Sequence, residues 1–341
     1  MPELVSILIP AYNAEQWIEA TIRSAIHQTW PKKEIIVVDD GSSDGTYDIA
    51  KCFDSRTVKV IRQANAGACS ARNTALSFAQ GDYIQWLDSD DLLHPEKLAR
   101  QLNRAGSGHN SRVLLTCAWG AFFFDPKRAK MVPNSLWQDL APSDWIIRKF
   151  MDRVWMNPTV WLVSRRLTEL AGTWDLRLAR SGDDDGEYMC RLVAASEKVQ
   201  FVREATCYYR NGVVGSLSWR MGESTDRLES LWLAITLSFH HLRAIEDSNR
   251  TRAACLQYLQ SSMWHFYQED QSFLERFYSL ANELGGTLQP PSISWKYYPI
   301  KQVFGWSAAN SAMRNWRRTK AIAFKEVDRL LYNINTKRAD H

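Results

Sequence analysis

Short apolar runs alternate with amphipathic stretches through the first ninety residues. Val5-Ser6-Ile7-Leu8-Ile9 is β-rich and is stopped by Pro10. Glu15 to Gln28 sets Trp17, Ile18, Ile22, Ala25 and Ile26 on one face at helical spacing. Glu34-Ile35-Ile36-Val37-Val38 reads as a second buried strand, followed by a polar turn from Asp39 to Gly45 and a helix to about Phe53. Val58 to Arg62 is a third strand, Ala68 to Ala79 a helix, and Tyr83 to Leu87 a fourth strand. Strand and helix in strict alternation predict βαβ units and a mostly parallel sheet with helices on both faces.

Beyond Asn103 the pattern is mixed. Arg112 to Phe124, Asn157 to Arg165 and Val199 to Tyr209 read as strands, and Asp183 to Ala195 as a helix. From Ser224 the chain reads as helical: Ser224 to Ile245, Arg250 to Tyr267, Ser272 to Leu284 and Ala308 to Tyr332, with Gln289-Pro290-Pro291 as a connection. A length of 341 residues suits an α/β domain over 1–215 and a helical C-terminal extension over 216–341.

Composition alters this picture little. Apolar residues make up 45%, enough for a full core, and a net charge of +4 does not call for a nucleic-acid partner. The end of the chain is more basic, with Arg314, Arg317, Arg318, Lys320, Lys325, Arg329, Lys337 and Arg338 against Glu326, Asp328 and Asp340. A helix of that kind has an affinity for anionic membranes; the bland reading is a packed helix with a solvated basic face. Six scattered cysteines form no CxxC pair and read as reduced core thiols. The start shows no basic-then-apolar leader, and no run approaches the ~18 apolar residues of a membrane span. The expectation is a cytoplasmic protein, soluble or peripheral on the inner face of the membrane. The 15 tryptophans suit a groove that grips sugar rings, although cores use them too.

The chemistry concentrates at strand ends, where parallel sheets bind ligands. Asp88, Asp90 and Asp91 follow the fourth strand directly. So much negative charge beside a core needs a compensating cation. Alternate residues of an extended segment face one side, so Asp88 and Asp90 can share a hard, oxygen-seeking cation, Mg²⁺ or Mn²⁺. A polar turn before the next helix, capped by Asp91, is the competing explanation. Tyr12, past Pro10, can stack on a nucleobase, or simply pack locally. Asp39 and Asp40 can accept from a base edge, since Asp44 better fits the cap of the following helix. Arg72, after Asn65-Ala66-Gly67, can reach a diphosphate or lie on the surface.

These segments, in order and spacing, resemble the inverting family 2 glycosyltransferases of the GT-A fold. The resemblance rests on Val5 to Asn13, Ile36 to Thr46, Asn65 to Asn73 and Asp82 to Asp91, and extends more loosely to Tyr209. It implies a Rossmann-like catalytic domain that binds a sugar nucleotide. Pro10 and Tyr12 would line the nucleoside pocket, Asp40 would hold the base edge, and Arg72 would approach the nucleotide. Asp88-Ser89-Asp90 would be the DXD motif, with Asp90 as the direct metal ligand and Asp88 and Ser89 beside it. Aligned on Arg191-Leu192, the family's acidic pair falls on Asp184-Asp185 and makes Asp185 the base; with Asp183 also acidic, the register carries an ambiguity of one. The Gln-x-x-Arg-Trp motif of polymerising synthases is absent, so the resemblance implies a non-processive hexosyl- or N-acetylhexosaminyl-transferase in polysaccharide or glycoconjugate assembly, with a UDP-sugar donor favoured and a glycan or lipid-linked glycan as acceptor. A non-catalytic relative that only binds sugar nucleotide or glycan is the alternative. A nicotinamide oxidoreductase would require GxGxxG after the first strand, and a nucleotidyltransferase a basic Gly-rich loop; the chain has Pro10-Ala11-Tyr12-Asn13 there.

Overall fold

A computed structural model of the chain describes residues 2–106, 111–179, 181, 183–212, 224–267 and 271–339. The first sheet is assembled from β1 (Val5–Ala11), α1 (Ile18–Ile26), β2 (Lys33–Asp39), α2 (Thr46–Lys51), β3 (Val58–Arg62), α3 (Ala68–Phe78) and β4 (Tyr83–Trp86). β1 is buried at every position, as a central strand covered on both faces must be. The helices between strands are short amphipathic covers; α1 buries Ile18, Thr21, Ile22 and Ala25.

Next come β5 (Leu92–Leu93), α4 (Lys97–Ala105), β6 (Val113–Phe122), β7 (Lys130–Met131), α5 (Pro142–Asp152), β8 (Val163–Ser164), α6 (Arg165–Ala171), α7 (Asp184–Ala195) and β9 (Lys198–Arg210). The first sheet has the order β3-β2-β1-β4-β8, parallel except for β8. The chain runs outward from β1 to β3 and then returns to the other side of β1 as β4. That reversal opens a crevice beyond the carboxyl ends of β1 and β4. A second sheet, β5-β9-β6-β7, abuts the first through a bridge between Leu115 and Leu162. β5 pairs Leu92 with Tyr208 and Leu93 with Cys207, which brings the end of β9 beside Asp90 and Asp91.

The sequence reading needs correction at 157–165. Only Val163 and Ser164 form a strand; Pro158–Val160 is a 3₁₀ turn. Val160 to Val163 are apolar and fully buried, but Pro158 offers no N–H to a ladder. Helices α5 and α6 are additions that the pattern did not reveal.

The C-terminal part comprises α8 (Thr225–Ile245), α9 (Asn249–Ser262), α10 (Gln271–Glu283) and α11 (Tyr298–Ala339), the last kinked at Gly305, whose φ is 81°. The expected boundary at 215/216 falls outside the described residues. α8 packs on α7 and α9 on α5, and their apolar residues join the core of the catalytic half. α11 touches that half through Lys325, which donates to the Gly212 carbonyl, and Asp328, which pairs with Arg128 at 3.0 Å. The six cysteines are free thiols, five of them buried.

Candidate active site

The loops after β1 and β2 are tied together. Asn13, in the left-handed region at φ 49°, accepts from the Ser43 N–H, and Ala14 N donates to Thr46 Oγ1. Pro10 is buried within β1, opposite Val38, whereas Tyr12 is 52% exposed and free to meet a ligand in the crevice. Asp40 is buried and heavily engaged. Its carboxylate accepts from Gln63 Nε2 at 2.7 Å, Asn65 Nδ2 at 3.2 Å, Ala66 N at 2.9 Å and Gly67 N at 2.8 Å. It shapes the loop before α3, and a base edge would have to share or displace one of these donors. Asp39 accepts from Ser42 N and faces Arg62, while its Oδ1 is buried with no partner among the described residues.

Arg72 joins two distant segments. Its Nη2 donates to Asp88 Oδ1 at 3.0 Å and its Nη1 to Asp184 Oδ2 at 2.6 Å. The guanidinium lies 4.3 Å from the Trp174 ring, which stacks on Tyr188 at 4.1 Å and meets the edge of Trp86. Burial opposes the charge on Arg72, but Asp88 and Asp184 outweigh it and hold the guanidinium protonated. Arg72 is thus a buried bridge between the two acidic segments, and the surface arginine that was the alternative reading is excluded. Asn73, one residue on, exchanges two hydrogen bonds with the Trp174 backbone and pins the segment leading to α7.

At the end of β4 the chain is held by its backbone. Thr21 Oγ1 donates to the carbonyls of Ser89 and Asp91, so Ser89 contributes its main chain here. Asp91 accepts from Thr159 Oγ1 and Arg210 N, and burial with Asp90 and Asp88 nearby pushes its carboxyl well up. Asp91 is a structural acid. Asp90 has no side-chain partner among the described residues; burial first, then Asp88, pushes it up to about 7. Arg210, stacked over Trp17 and Phe122, donates to the Asp90 carbonyl. Burial pulls this guanidinium down to about 10.

The three aspartates at the start of α7 have separate surroundings. Asp184 is bound to Arg72 and accepts from the Cys69 thiol. Asp183 accepts from Tyr258 of α9 at 3.3 Å and feels the buried Lys149 of α5. Among the described residues Asp185 accepts only from its neighbour Gly186 N; burial, then Asp184 and Asp183, push it up to about 7. Asp88 adds to that shift, so the two acidic segments share one electrostatic site. Of the three, Asp185 is the one left poised for proton transfer near neutral pH.

Among the described residues no cluster of three or more Asp, Glu, His or Cys side chains could hold a metal by itself. The donor set does fit a magnesium-type ion completed by a ligand. Such ions use one or two carboxylates plus substrate phosphates and water. Asp88 and Asp90 supply two, and their mutual repulsion favours a cation between them.

Sequence reasoning missed Lys149, Arg210, Tyr209 and Tyr258. The readable trace was a lysine at 149 on the apolar face of α5, which buries Trp145, Ile146 and Phe150. The others lie far along the chain and gave no local signal.

Residues 6–143 match the family model described as Glycosyl transferase family 2. A putative teichuronic acid biosynthesis glycosyltransferase, TuaG of Bacillus subtilis, is 47% identical over 102 residues, 29% of this chain and 40% of that protein. The Escherichia coli UDP-Glc:alpha-D-GlcNAc-diphosphoundecaprenol beta-1,3-glucosyltransferase WfaP is also 47% identical over 102 residues, 30% of this chain and 41% of its own. The chain thus spans about two fifths of the length of these relatives. The uncharacterized glycosyltransferase EpsJ of B. subtilis is 42% identical over 220 residues, 62% of each chain. Among solved structures, S. aureus TarS 1-349 in complex with UDP superposes with a TM-score of 0.61 at 17% identity, over 82% of this chain and 79% of TarS. That likeness concerns the fold, which is GT-A with a helical C-terminal region.

Proposed function

This chain carries a family 2 glycosyltransferase domain, and from that premise we propose that it transfers a sugar from a nucleotide-sugar donor to an acceptor hydroxyl with inversion at the anomeric carbon. The observation that carries the reading is the Arg72 bridge, which unites Asp88 with the segment bearing Asp185. The donor occupies the crevice between β1 and β4, its base near Tyr12 and Asp40 and its diphosphate toward Asp88 and Asp90. Asp90 and Asp88 would hold Mg²⁺ or Mn²⁺, which would supply charge compensation to the departing diphosphate. Asp185 takes the proton of the attacking hydroxyl. Arg72 acts as a positioning residue that keeps Asp88 and Asp184 in place. A UDP-sugar is favoured because WfaP is named for UDP-Glc and TarS was solved with UDP. A lipid-linked glycan is the acceptor class in the name of WfaP.

The outer face of α11 suits that acceptor. Trp316, Val327, Leu330 and Ile334 are exposed, as are Val303 and Phe304 before the kink, while Lys325 and Asp328 grip the body. Lys301, Arg314 and Lys320 accompany the apolar side chains, a combination that seats on anionic lipid. No helix of the described residues is long and apolar enough to cross a membrane. Co-sedimentation with phosphatidylglycerol vesicles, lost in a Trp316→Glu/Leu330→Glu variant, tests this contact; equal pelleting of both forms rejects it.

The decisive experiment is nucleoside diphosphate release from a panel of sugar nucleotides with Mn²⁺. Asp185→Asn is expected to lose ~10²–10⁴ in turnover while still binding donor. Asp90→Asn is expected to lose metal-dependent donor binding. Near wild-type activity in both variants refutes the reading. Donor binding with no turnover by the wild type favours the binding-protein alternative.

A further inference from the structure

A second feature lies on the second sheet, at the end of β9 that pairs with β5. Trp155, between α5 and the turn at Pro158, is 44% exposed. Its ring lies 4.9 Å from that of buried Trp119 on β6 and 5.2 Å, nearly perpendicular, from Tyr209 on β9. Trp119 and Tyr209 meet edge-on at 5.9 Å. Asn134 also donates to the Trp155 carbonyl. An exposed indole held by two rings and a backbone contact is a rigid surface, ordered before any ligand arrives.

This surface is continuous with the acidic centre. Tyr209 lies between Tyr208, which pairs with Leu92 of β5, and Arg210, whose N–H donates to Asp91 Oδ1 and whose Nε donates to the Asp90 carbonyl, so the trio adjoins the acidic segment after β4. The aromatic trio therefore begins at the reacting centre and opens to solvent at Trp155. A pyranose presents one face of C–H groups, which an aromatic ring covers well, while its hydroxyls project outward to polar groups. The crevice between β1 and β4 is committed to the donor. The trio belongs to the second sheet, with Trp119 on β6 and Tyr209 on β9, apart from that crevice.

We propose that Trp155, backed by Trp119 and Tyr209, is the acceptor subsite and stacks on the apolar face of the pyranose whose hydroxyl is glycosylated. The proposal rests on the glycosyltransferase reading, and its test separates the two. Saturation-transfer NMR is run on the whole protein with methyl glycopyranosides of glucose, galactose, N-acetylglucosamine and rhamnose, for the wild type, Trp155→Ala, Trp155→Phe and, as a control, Trp295→Ala, a residue 79% exposed on a remote segment. At least one glycoside is expected to receive saturation on the C–H groups of one ring face. The signal should drop at least about fivefold in Trp155→Ala and persist in Trp155→Phe and Trp295→Ala. Mn²⁺-dependent hydrolysis of UDP-glucose, which needs no acceptor sugar, should be equal in the wild type and Trp295→Ala. The subsite is overturned if no glycoside responds with the wild type, if Trp155→Ala responds like the wild type, or if Trp155→Phe fails as Trp155→Ala does. Failure of the wild type to turn over or bind any sugar nucleotide in the panel above strikes the underlying function instead.

Discussion

Replacing Arg72 with Met tests the junction on which the site depends. Met keeps most of the volume beside Trp174 but removes the charge and the fork. The Arg72 and Asp184 side chains are each 8% exposed, so this pair is effectively buried. Removing one partner of a buried pair typically costs ~3–5 kcal/mol, because the other charge is left uncompensated. Asp88 is 28% exposed and partly screened by water, so its loss of Arg72 adds at most ~1 kcal/mol. The expected destabilisation is therefore ~3–5 kcal/mol, a large share of a typical ~5–15 kcal/mol. Urea unfolding followed by tryptophan fluorescence reads it as a fall in midpoint at constant slope. Arg72→Met/Asp184→Asn should recover part of the loss, with a coupling of up to ~3 kcal/mol between the sites. Arg23→Met is the control: its pair with Glu19 is 55% and 56% exposed and should be worth under ~0.5 kcal/mol. If Arg72→Met stays within ~1 kcal/mol of wild type, or if the two substitutions simply add, the bridge does not hold the site together.

Asp185 must be deprotonated to act, and its carboxyl is pushed up to about 7, so the transfer rate should rise with pH and level off above about 7; a rate independent of pH from about 5 to 8 contradicts that role. Asp90 and Asp185 are both raised, so the native state binds more protons than the unfolded chain from about pH 4 to 7 and loses stability as pH rises through that window. Mn²⁺ should accordingly raise the melting temperature more above about pH 7 than below about pH 5, as read by scanning fluorimetry, and an equal gain at both ends would count against Asp90 as a ligand. Gly41→Ala should cost ~1–3 kcal/mol and weaken donor binding, because Gly41 has φ +71° and an added Cβ would sit 2.8 Å from Asn65 N, in the loop that Asp40 organises; thermal shift with and without UDP checks both effects.

Strands β1, β2 and β4 were legible because they are buried on both faces and so appear as nearly unbroken apolar runs. The same signal misled at 157–165, where Val160 to Val163 are equally apolar but are reached through a turn; periodicity cannot separate a buried strand from a buried turn. β5 is two residues long and beyond any pattern, yet it brings Arg210 to Asp90. The carboxylates stood out because each follows an apolar run. Their roles did not, since these depend on what arrives from elsewhere: Arg72 claims Asp184, Tyr258 claims Asp183, and only then is Asp185 distinguished. Spacing alone cannot resolve three identical side chains in a row.

Those partners also set the charge balance that makes the site work as a receptor. Among the described residues, Asp88, Asp90, Asp91, Asp183, Asp184 and Asp185 interact with one another and with Arg72, Lys149 and Arg210, so six carboxylates face three cations there. Burying the surplus as bare charge is costly, and the protein relieves it by raising Asp90, Asp91 and Asp185 toward protonation. Asp91 is sealed by Thr159 and Arg210, which donate to its two oxygens and leave none free for a ligand. Asp90 and Asp185 are the two whose protons can be exchanged for something else. A doubly negative diphosphate would be repelled by such a surface, whereas the same diphosphate carrying a divalent cation is neutral and can displace the proton on Asp90. Donor and metal should thus bind as a unit, each weak without the other, and calorimetry with UDP-glucose in the presence and absence of Mn²⁺ should show proton release only when both are present.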